Sequence, residues 1–325
     1  MKRLGSLLSM MLLLAVFAAG CGGSPSNSGG SADAASAAGQ QADGASAEIV
    51  VTHQLGETKV PVNPKRVAVF DMGILDSLDL LGIEVAGVPK DGLPAYLSKY
   101  RDDKYKNIGT LKEPDLEALS ALGPDLIIIS GRLSTFYEQL SELAPTIFMG
   151  VDTSNYMPSF KQNMEYIGKI FQKEDEVAAR LQEIDALAAE VKAKAEKAGG
   201  KALVILSNDK AISAYGPGSR FGIIHDVLGF APVDDTLQVS THGNSISFEY
   251  IKEKNPDYLF VIDRASVVSG GGQAARETVE NDLVKATAAY KNGKIIYLDA
   301  DYWYLSGGGL VSVREMIQQA AAAVE

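Results

Sequence analysis

Residues 115–132 read DLEALSALGPDLIIISGR, and residues 247–264 read SFEYIKEKNPDYLFVIDR. The two stretches share one pattern at a constant spacing of 132 residues, so that Arg132 corresponds to Arg264. In each copy a helical segment is followed by Pro-Asp, by a run of apolar residues and then by the arginine. This pattern predicts a short helix, a break, a buried strand and an arginine at the carboxyl end of that strand. The repetition indicates two lobes built on one plan.

On either side of these copies, apolar strands alternate with helical stretches from residue 48 onward. Strands are predicted at 66–70, 84–87, 126–130 and 146–149 in the first half, and at 202–207, 212–214, 258–262 and 294–298 in the second half. Such alternation is typical of an α/β fold with mostly parallel sheets. We therefore expect an α/β protein of two lobes, an N-terminal lobe at 48–173 and a C-terminal lobe at 200–325.

The segment between the lobes predicts one long helix at 174–199. Its apolar residues recur at spacings of 3 and 4 and form one stripe, namely Val177, Leu181, Ile184, Ala188, Val191 and Ala195. About 25 residues at 1.5 Å each would form a rod of roughly 37 Å. We interpret this helix as the connection between the lobes, which would resist large hinge closure. An ordinary surface helix within one lobe is the alternative.

The first residues predict an export signal. Lys2 and Arg3 precede an apolar run at 7–17 and the small residues 18–20, and Cys21 follows directly. This arrangement resembles a lipobox, so residues 1–20 are predicted as a lipoprotein signal peptide and Cys21 as the lipidated residue. An ordinary signal peptide followed by a free thiol is the alternative. Residues 21–47 are rich in Gly, Ser and Ala and are predicted to form a disordered tether.

Composition and charge exclude some classes of partner. The 325 residues include 46% hydrophobic and 22% charged residues, with a formal net charge of −11, as in a soluble globular protein of acidic character. Such a charge argues against a nucleic-acid partner, which requires a basic face. A locally basic cleft in this acidic chain would therefore indicate a binding site for an anion.

Three arginines are the candidate anion-binding residues. Arg132 and Arg264 follow predicted strands, and ligands of open α/β sheets bind beyond the carboxyl ends of strands. Arg220 lies in YGPGSRFGIIHD, a Gly/Pro turn that leads into a helix whose N–H groups and dipole favour anions. Guanidinium groups stay charged and bind carboxylate or catecholate oxygens in a forked geometry. Surface ion pairs are the alternative for each arginine.

Aromatic residues and one histidine complete the candidate site. Tyr302, Trp303 and Tyr304 follow a predicted strand and precede three glycines, which suggests a rigid wall facing a ligand, although a core role is open for Tyr302 and Trp303. His242 lies in the polar loop STHGNSIS, where it could also cap a turn. The chain has only three histidines, too few for a dedicated zinc or manganese cage, and His225 is assigned to a helix face.

The chain resembles the iron–siderophore substrate-binding lipoproteins of ABC importers, and within them the catecholate-type, petrobactin-binding branch. The segments that carry this resemblance are KEPDLEAL, PDLIIISGR, YGPGSRFGIIHDVLG, THGNSISFEYI, NPDYLFVIDR and DYWYLSGGGL, within residues 50–320. The resemblance implies two Rossmann-like lobes joined by a single long helix, the class III or helical-backbone architecture, with a siderophore held between the lobes. It implies no cofactor and no catalytic activity.

The resemblance also implies roles for individual residues. Arg132, Arg220 and Arg264 would bind the siderophore. His242 and Tyr304 would ligate ferric iron only where the siderophore leaves coordination sites open, and would otherwise form the pocket wall with Tyr302 and Trp303. An arginine cluster suits an anionic ferric catecholate, whereas a neutral hydroxamate complex needs less positive charge.

Glu117 and Glu249 occupy matching positions in the two copies. The resemblance implies that such a pair docks onto arginines of the importer's permease, whereas two unrelated exposed carboxylates are the alternative.

The sequence thus predicts a monomeric, extracytoplasmic receptor for a ferric catecholate-type siderophore, anchored to the cell membrane through Cys21, with a Gram-positive cell surface as the expected location. A receptor for another siderophore class, heme or cobalamin on the same fold is the first alternative. A doubly wound enzyme and a metal-ion receptor are more remote. No G-x-G-x-x-G after a strand, no P-loop and no supported Ser/His/Asp arrangement is found.

Overall fold

A computed structural model describes residues 47–208, 211–268 and 274–325. The predicted signal peptide, Cys21 and all but the last residue of the predicted tether lie outside these residues. The first half contains β1 (Glu48–His53), β2 (Gly56–Pro61), β3 (Val67–Val69), α1 (Met72–Leu80), β4 (Gly87–Val88), β5 (Lys106–Asn107), α2 (Leu116–Leu122), β6 (Leu126–Ile129), α3 (Tyr137–Ser141), β7 (Thr146–Phe148), α4 (Tyr156–Phe171) and α5 (Glu174–Ala198).

The second half of the chain follows the same alternation of strands and helices. It contains β8 (Lys201–Asn208), β9 (Ala211–Tyr215), α6 (Ile223–Asp226), β10 (Ala231–Pro232), β11 (Asn244–Ile246), α7 (Phe248–Lys254), β12 (Tyr258–Asp263), α8 (Arg264–Val268), α9 (Ala274–Val279), α10 (Asp282–Lys285), α11 (Ala288–Lys291), β13 (Ile295–Leu298) and α12 (Leu310–Ala321). Within the described part of the chain, no helix has both the length and the apolar character needed to span a membrane.

Each half of the chain builds its own sheet. The first sheet has the order β5-β4-β3-β6-β7 and is parallel throughout. The second has the order β11-β9-β8-β12-β13, in which β8, β12 and β13 are parallel. Strand β9 alone runs antiparallel to its two neighbours, β8 and β11, and β10 pairs in parallel with β8. The predicted α/β class with two Rossmann-like lobes is confirmed.

Some strands differ from the prediction. The hairpin of β1 and β2 and the short strands β5, β10 and β11 were not predicted, because few of their residues are buried. The strand predicted at 84–87 is wrong for most of its length, since only Gly87 lies in β4. Residues 84–86 form an irregular connection after the turn that ends α1. In that turn Gly82 has a φ of 69°, and the Ile83 N–H donates to the Leu78 carbonyl over 2.8 Å.

The repeated Pro-Asp pairs have a structural role. The carboxylate of Asp125 accepts hydrogen bonds from the backbone N–H groups of Lys65 and Arg66 over 2.9 and 3.0 Å. The carboxylate of Asp257 accepts one from the N–H of Lys201 over 2.8 Å. Each aspartate therefore ties the start of the strand that carries the repeat to the start of the neighbouring central strand, and this fixes where β6 and β12 begin.

Helix α5 buries all six residues of the predicted apolar stripe. It packs against α4 on one side and α12 on the other. Helix α12 also packs against α1, so the last helix of the second half contacts the first half. The division of the chain at 173 and 200 remains a prediction, and α12 is the element that crosses it.

The contact between α1 and α12 is close and polar. Asp76 is buried, and its carboxylate accepts hydrogen bonds from the N–H groups of Val311 and Ser312 over 3.2 and 3.0 Å. A Cβ at Gly73 would lie 2.8 Å from the nitrogen of Gly309, which leaves no room for a side chain there. Two of the three predicted wall glycines, Gly308 and Gly309, therefore allow this helix crossing. The π-helical segment Asp301–Ser306 leads into it.

Candidate functional site

A cavity of about 670 Å³ lies between the two halves of the chain. The first half contributes residues that follow β6, including Arg132, and the residues around the end of β7, from Phe148 to Val151. The second half contributes Arg220, the loop residues 239–241 and residues of the π-helical segment and the glycines after it. The cavity therefore lies at the carboxyl ends of the first sheet's central strands, where open α/β sheets bind ligands.

Two arginines from opposite halves share one acceptor. The guanidinium groups of Arg132 and Arg220 both donate to the carbonyl oxygen of Tyr304, over 2.9 and 2.6 Å. Burial, together with the neighbouring charge of Arg132, lowers the pKa of Arg220. Arg220 nevertheless stays charged, since an arginine does not lose its proton in proteins. Two like charges are thus held together at the cavity wall.

Arg264 approaches the same tyrosine from behind. Its Nε donates to the Tyr304 hydroxyl over 2.8 Å, and its Nη1 donates to the Asn208 carboxamide over 2.7 Å. Arg264 does not line the cavity, but Tyr304 does. Arg264 therefore affects the cavity through its hydrogen bond to Tyr304. Arg264 is the first residue of α8, directly after β12.

The Tyr304 ring lies between two guanidinium groups. The Cζ atoms of Arg220 and Arg264 lie 4.3 and 5.6 Å from the ring centroid, within the range of cation–π attraction. Burial would raise the pKa of the Tyr304 phenol, but the hydrogen bond from Arg264 and the charges of all three arginines outweigh it and lower that pKa. The surrounding positive charge therefore stabilises the deprotonated form of this phenol relative to that of an isolated tyrosine.

The positive charge at this site has no ion-pair partner in the described residues. None of their ion pairs includes Arg132, Arg220 or Arg264. One carboxylate, that of Asp71, does line the cavity, but it accepts a hydrogen bond from the N–H of Ile74 over 2.9 Å and caps α1. An excess of positive charge in a half-buried cavity favours an anionic ligand.

The helix that follows Arg220 adds little to this charge. Helix α6 has four residues, Ile223–Asp226, so few peptide dipoles align toward the site. The sequence predicts that the N-terminus of this helix favours an anion, but in the structure this contribution to anion binding is small. His225 lies in α6, where its Nδ1 is hydrogen-bonded to the Phe230 carbonyl over 2.8 Å, and it stays outside the cavity as expected.

His242 is exposed and does not line the cavity, although its neighbours Ser240 and Thr241 do. The carboxamide of Asn244 closes this loop by donating to the Gln238 carbonyl over 2.8 Å. Among the residues that the structure describes, no cluster of three His, Cys, Asp or Glu side chains could hold a metal ion.

The two other predicted aromatic residues lie in different environments. Trp303 is 2% exposed, contributes to the inner wall of the cavity and donates its indole N–H to Gln319 over 3.1 Å. Tyr302 stacks on Tyr96 with ring centroids 4.6 Å apart and does not line the cavity. The core role left open for these residues thus applies to both side chains, and Trp303 also contacts the site.

Several lining residues were not predicted. Gln54 follows β1, in a hairpin that the sequence analysis missed. Tyr156 donates its hydroxyl to the Gly307 carbonyl over 2.9 Å and so joins the two halves behind the cavity. Phe148 and Met149 end a strand that was predicted, so the rule that ligands bind beyond strand ends could have identified them.

Glu117 and Glu249 lie in the first turns of α2 and α7, and both side chains are exposed. Neither takes part in an ion pair among the described residues. A hydrogen bond from Ser247 lowers the pKa of Glu249, so this carboxylate is ionised at neutral pH. The repeat thus presents one free carboxylate from each half.

Comparison with known proteins gives consistent matches. The model of a family described as periplasmic binding protein matches residues 67–302. The petrobactin-binding protein YclQ of Bacillus subtilis (strain 168) is 51% identical over 324 residues, which cover 98% of either chain. The ferric-anguibactin-binding protein FatB of Vibrio anguillarum is 38% identical over 274 residues, which cover 83% of this chain and 85% of that protein.

Comparison of structures agrees with these sequence matches. The crystal structure of YclQ from Bacillus subtilis superimposes with a TM-score of 0.83 and 55% identity, covering 86% of this chain and 99% of that chain.

Proposed function

The chain belongs to the periplasmic binding protein family, and from this premise we propose that it captures a ferric catecholate-type siderophore, petrobactin or a close analogue, and delivers it to an ABC importer. Like its relatives, it is a binding protein and not an enzyme. The observation that carries the ligand class is the convergence of Arg132, Arg220 and Arg264 on Tyr304.

This arrangement suits a ferric catecholate for electrostatic reasons. Ferric complexes of catecholates are anionic, and the half-buried arginines supply charge that the rest of this acidic chain does not. A neutral ferric hydroxamate would leave two adjacent guanidinium charges uncompensated in the cavity. Heme and cobalamin offer fewer anionic oxygens to a fork of this kind. The siderophore itself is the ligand, and the proposal requires no cofactor.

The test is a titration that follows the fluorescence of Trp303, the only tryptophan of the chain, which lies in the cavity wall. We expect saturable quenching by ferric petrobactin and much weaker binding of a ferric hydroxamate, heme and cobalamin. Tighter binding of any of the last three would contradict the proposed ligand class.

We also propose that Tyr304, with His242, completes the coordination of iron when the siderophore leaves sites open. The lowered pKa of the Tyr304 phenol supports the role of Tyr304 as an iron ligand, because a phenolate is the form that binds iron. His242 would have to reach the cavity from its exposed loop. With a ferric complex of a bidentate catecholate, we expect a phenolate-to-iron absorption band that Tyr304→Phe abolishes. An unchanged spectrum would remove Tyr304 as an iron ligand.

The remaining parts of the proposal concern location. We propose that the protein works outside the cytoplasm as a monomer tethered through lipidated Cys21, with Glu117 and Glu249 docking onto the permease. Cys21→Ser should release the protein from the membrane fraction into the medium. Retention of that variant at the membrane would contradict the anchor.

A further inference from the structure

A second groove, of about 610 Å³, continues from the arginine cavity. It lies in the first half, between the end of β1 and the N-terminal half of α4. Gln54, Phe148 and Gly150 line both the cavity and the groove, so the two spaces meet at these residues. A ligand seated on the arginines can therefore extend into the groove without leaving the protein surface.

The groove and the cavity have opposite charge. The charged or titratable side chains that line the groove are Asp152, Lys161, Glu165 and His53. Lys161 is neutralised by Asp185, since its Nζ lies 2.6 Å from the Asp185 carboxylate. Burial lowers the pKa of His53, which keeps its ring uncharged at neutral pH.

The two carboxylates are left without a cation. Neither Asp152 nor Glu165 takes part in an ion pair within residues 47–208, 211–268 and 274–325. The groove is therefore net negative, next to a cavity that is net positive.

The floor of the groove offers a further acceptor. Asn163 is 9% exposed, and its amide nitrogen donates to the Met149 carbonyl over 2.8 Å. Its carboxamide oxygen accepts no hydrogen bond from the described part of the chain, and the residue lines the groove. The carboxylate of Asp152 uses one oxygen for the Ser154 N–H and hydroxyl, over 3.0 and 2.7 Å.

These groups together select the chemistry of a ligand. The Asn163 carboxamide oxygen and the two carboxylates are all acceptors, and an ammonium group is a cation with only donors. A second anionic group would be repelled from this groove, and an apolar arm would leave the Asn163 oxygen without a partner.

We propose that this groove binds an ammonium- or amine-bearing arm of the ligand whose anionic iron chelate occupies the arginine cavity. The inference deepens the proposed function and rests on it, because it assigns the ligand two ends of opposite charge. Specificity among ferric catecholates would then depend on the groove, whereas the arginines recognise the chelate that all of them share.

The test uses two synthetic ferric catecholates that are identical except for the end of one arm, which carries an ammonium group in one and a hydroxyl group in the other. We expect wild-type protein to bind the ammonium compound roughly tenfold more tightly, as one hydrogen bond to a charged group would give. Glu165→Lys should abolish this preference and leave the affinity for the hydroxyl compound within about twofold.

Glu142→Lys is the matched control, because Glu142 is an exposed glutamate of the same half, outside both the groove and the cavity. It makes the same change of net charge and should keep the tenfold preference. Circular dichroism of both variants checks that each is folded, as expected for exposed positions.

Three results would overturn the inference: equal binding of the two compounds by wild-type protein, a preference that survives Glu165→Lys, or an equal loss in the control. If wild-type protein binds both compounds equally, the proposed function stands while the groove assignment fails. If it binds neither compound nor ferric petrobactin, the proposed function itself fails and the groove assignment with it.

Discussion

Tyr304 positions the site through two separate atoms. Its carbonyl oxygen accepts from Arg132 and Arg220, while its hydroxyl accepts from Arg264. A carboxylate in the same place would hold the arginines equally well but would neutralise them. Because a backbone carbonyl carries no net charge, the three guanidinium groups are oriented while their charge stays available to a ligand.

At the residue scale we predict that Arg132→Ala, Arg220→Ala and Arg264→Ala each weaken binding of ferric petrobactin by about 1–3 kcal/mol. Each substitution removes a charge-assisted contact with the chelate or the support of Tyr304. For Arg132→Ala, the free energy of unfolding of the unliganded protein should not fall, because one of two adjacent like charges is removed. Fluorescence titration and chemical denaturation measure the two quantities.

Arg180→Ala is the control for this series, since Arg180 pairs with Glu183 on the exposed face of α5. It should leave affinity unchanged. Unaltered affinity in all three arginine variants would show that these residues neither hold the ligand nor support the residue that does.

Arg132 and Arg264 could be predicted because each follows a strand, and the carboxyl ends of parallel strands lie at one edge of a sheet. Arg220 could be predicted from its Gly/Pro turn before a helix. The hydrogen bond of Arg264 to Tyr304 could not be predicted, since it depends on a π-helical segment that no local sequence pattern indicates. The exposure of His242 is likewise a result of tertiary structure. Its loop joins β10 to β11, two short strands with few buried residues that sequence reasoning did not identify.

At the scale of elements, the internal repeat specified more of the fold than any single motif. Helices α2 and α7 and strands β6 and β12 begin at the predicted spacing, and an aspartate that binds the neighbouring strand precedes each strand. The hairpin of β1 and β2 escaped prediction because only Val51 and Val60 are buried in it, so its hydrophobic alternation is weak. Partial burial is the reason for both the missed hairpin and the missed Gln54.

The N-terminus of α12 is capped by a buried carboxylate from another helix. Burial raises the pKa of Asp76 to about 7, although hydrogen bonds from Ser312 and Val311 oppose this. Tyr96 donates to the same carboxylate over 3.1 Å, and its hydroxyl lies 2.6 Å from the Ser306 hydroxyl, at the end of the π-helical segment. The protonation of Asp76 is thus connected to the element that carries Tyr304.

At this scale we predict a pH dependence of stability. The folded protein keeps the Asp76 proton to higher pH than the unfolded chain, so this contribution to stability falls as pH rises from about 4 to about 7. Asp76→Asn cannot titrate. The difference in free energy of unfolding, wild type minus variant, should therefore decrease by about 2 kcal/mol between about pH 5 and about pH 8.

Chemical denaturation at several pH values measures this difference. Asp103→Asn, which alters an exposed aspartate, is the control and should give a curve parallel to wild type. Parallel curves for Asp76→Asn would contradict the coupling.

At the scale of the whole molecule, the residues that would bind the ligand differ from those that would contact the permease. Glu117 and Glu249 do not line the cavity, and each lies in the first turn of the helix before a central strand. We predict that the double variant Glu117→Ala/Glu249→Ala binds ferric petrobactin like wild type but reduces siderophore-dependent iron uptake by cells more than tenfold, because both docking carboxylates are lost.

The control for uptake is Glu138→Ala together with Glu253→Ala, one glutamate from each half, neither of which lines the cavity. Uptake should stay normal in this pair. Normal uptake in the Glu117/Glu249 variant would exclude docking through these carboxylates.

Helix α12 covers the apolar face of α1, although the two are far apart in sequence. During synthesis, the earlier half therefore leaves the ribosome with that face of α1 uncovered. This face gains its final partner only after α12 has been synthesised up to Ala321. The first half can therefore complete its packing only after the last helix has been synthesised.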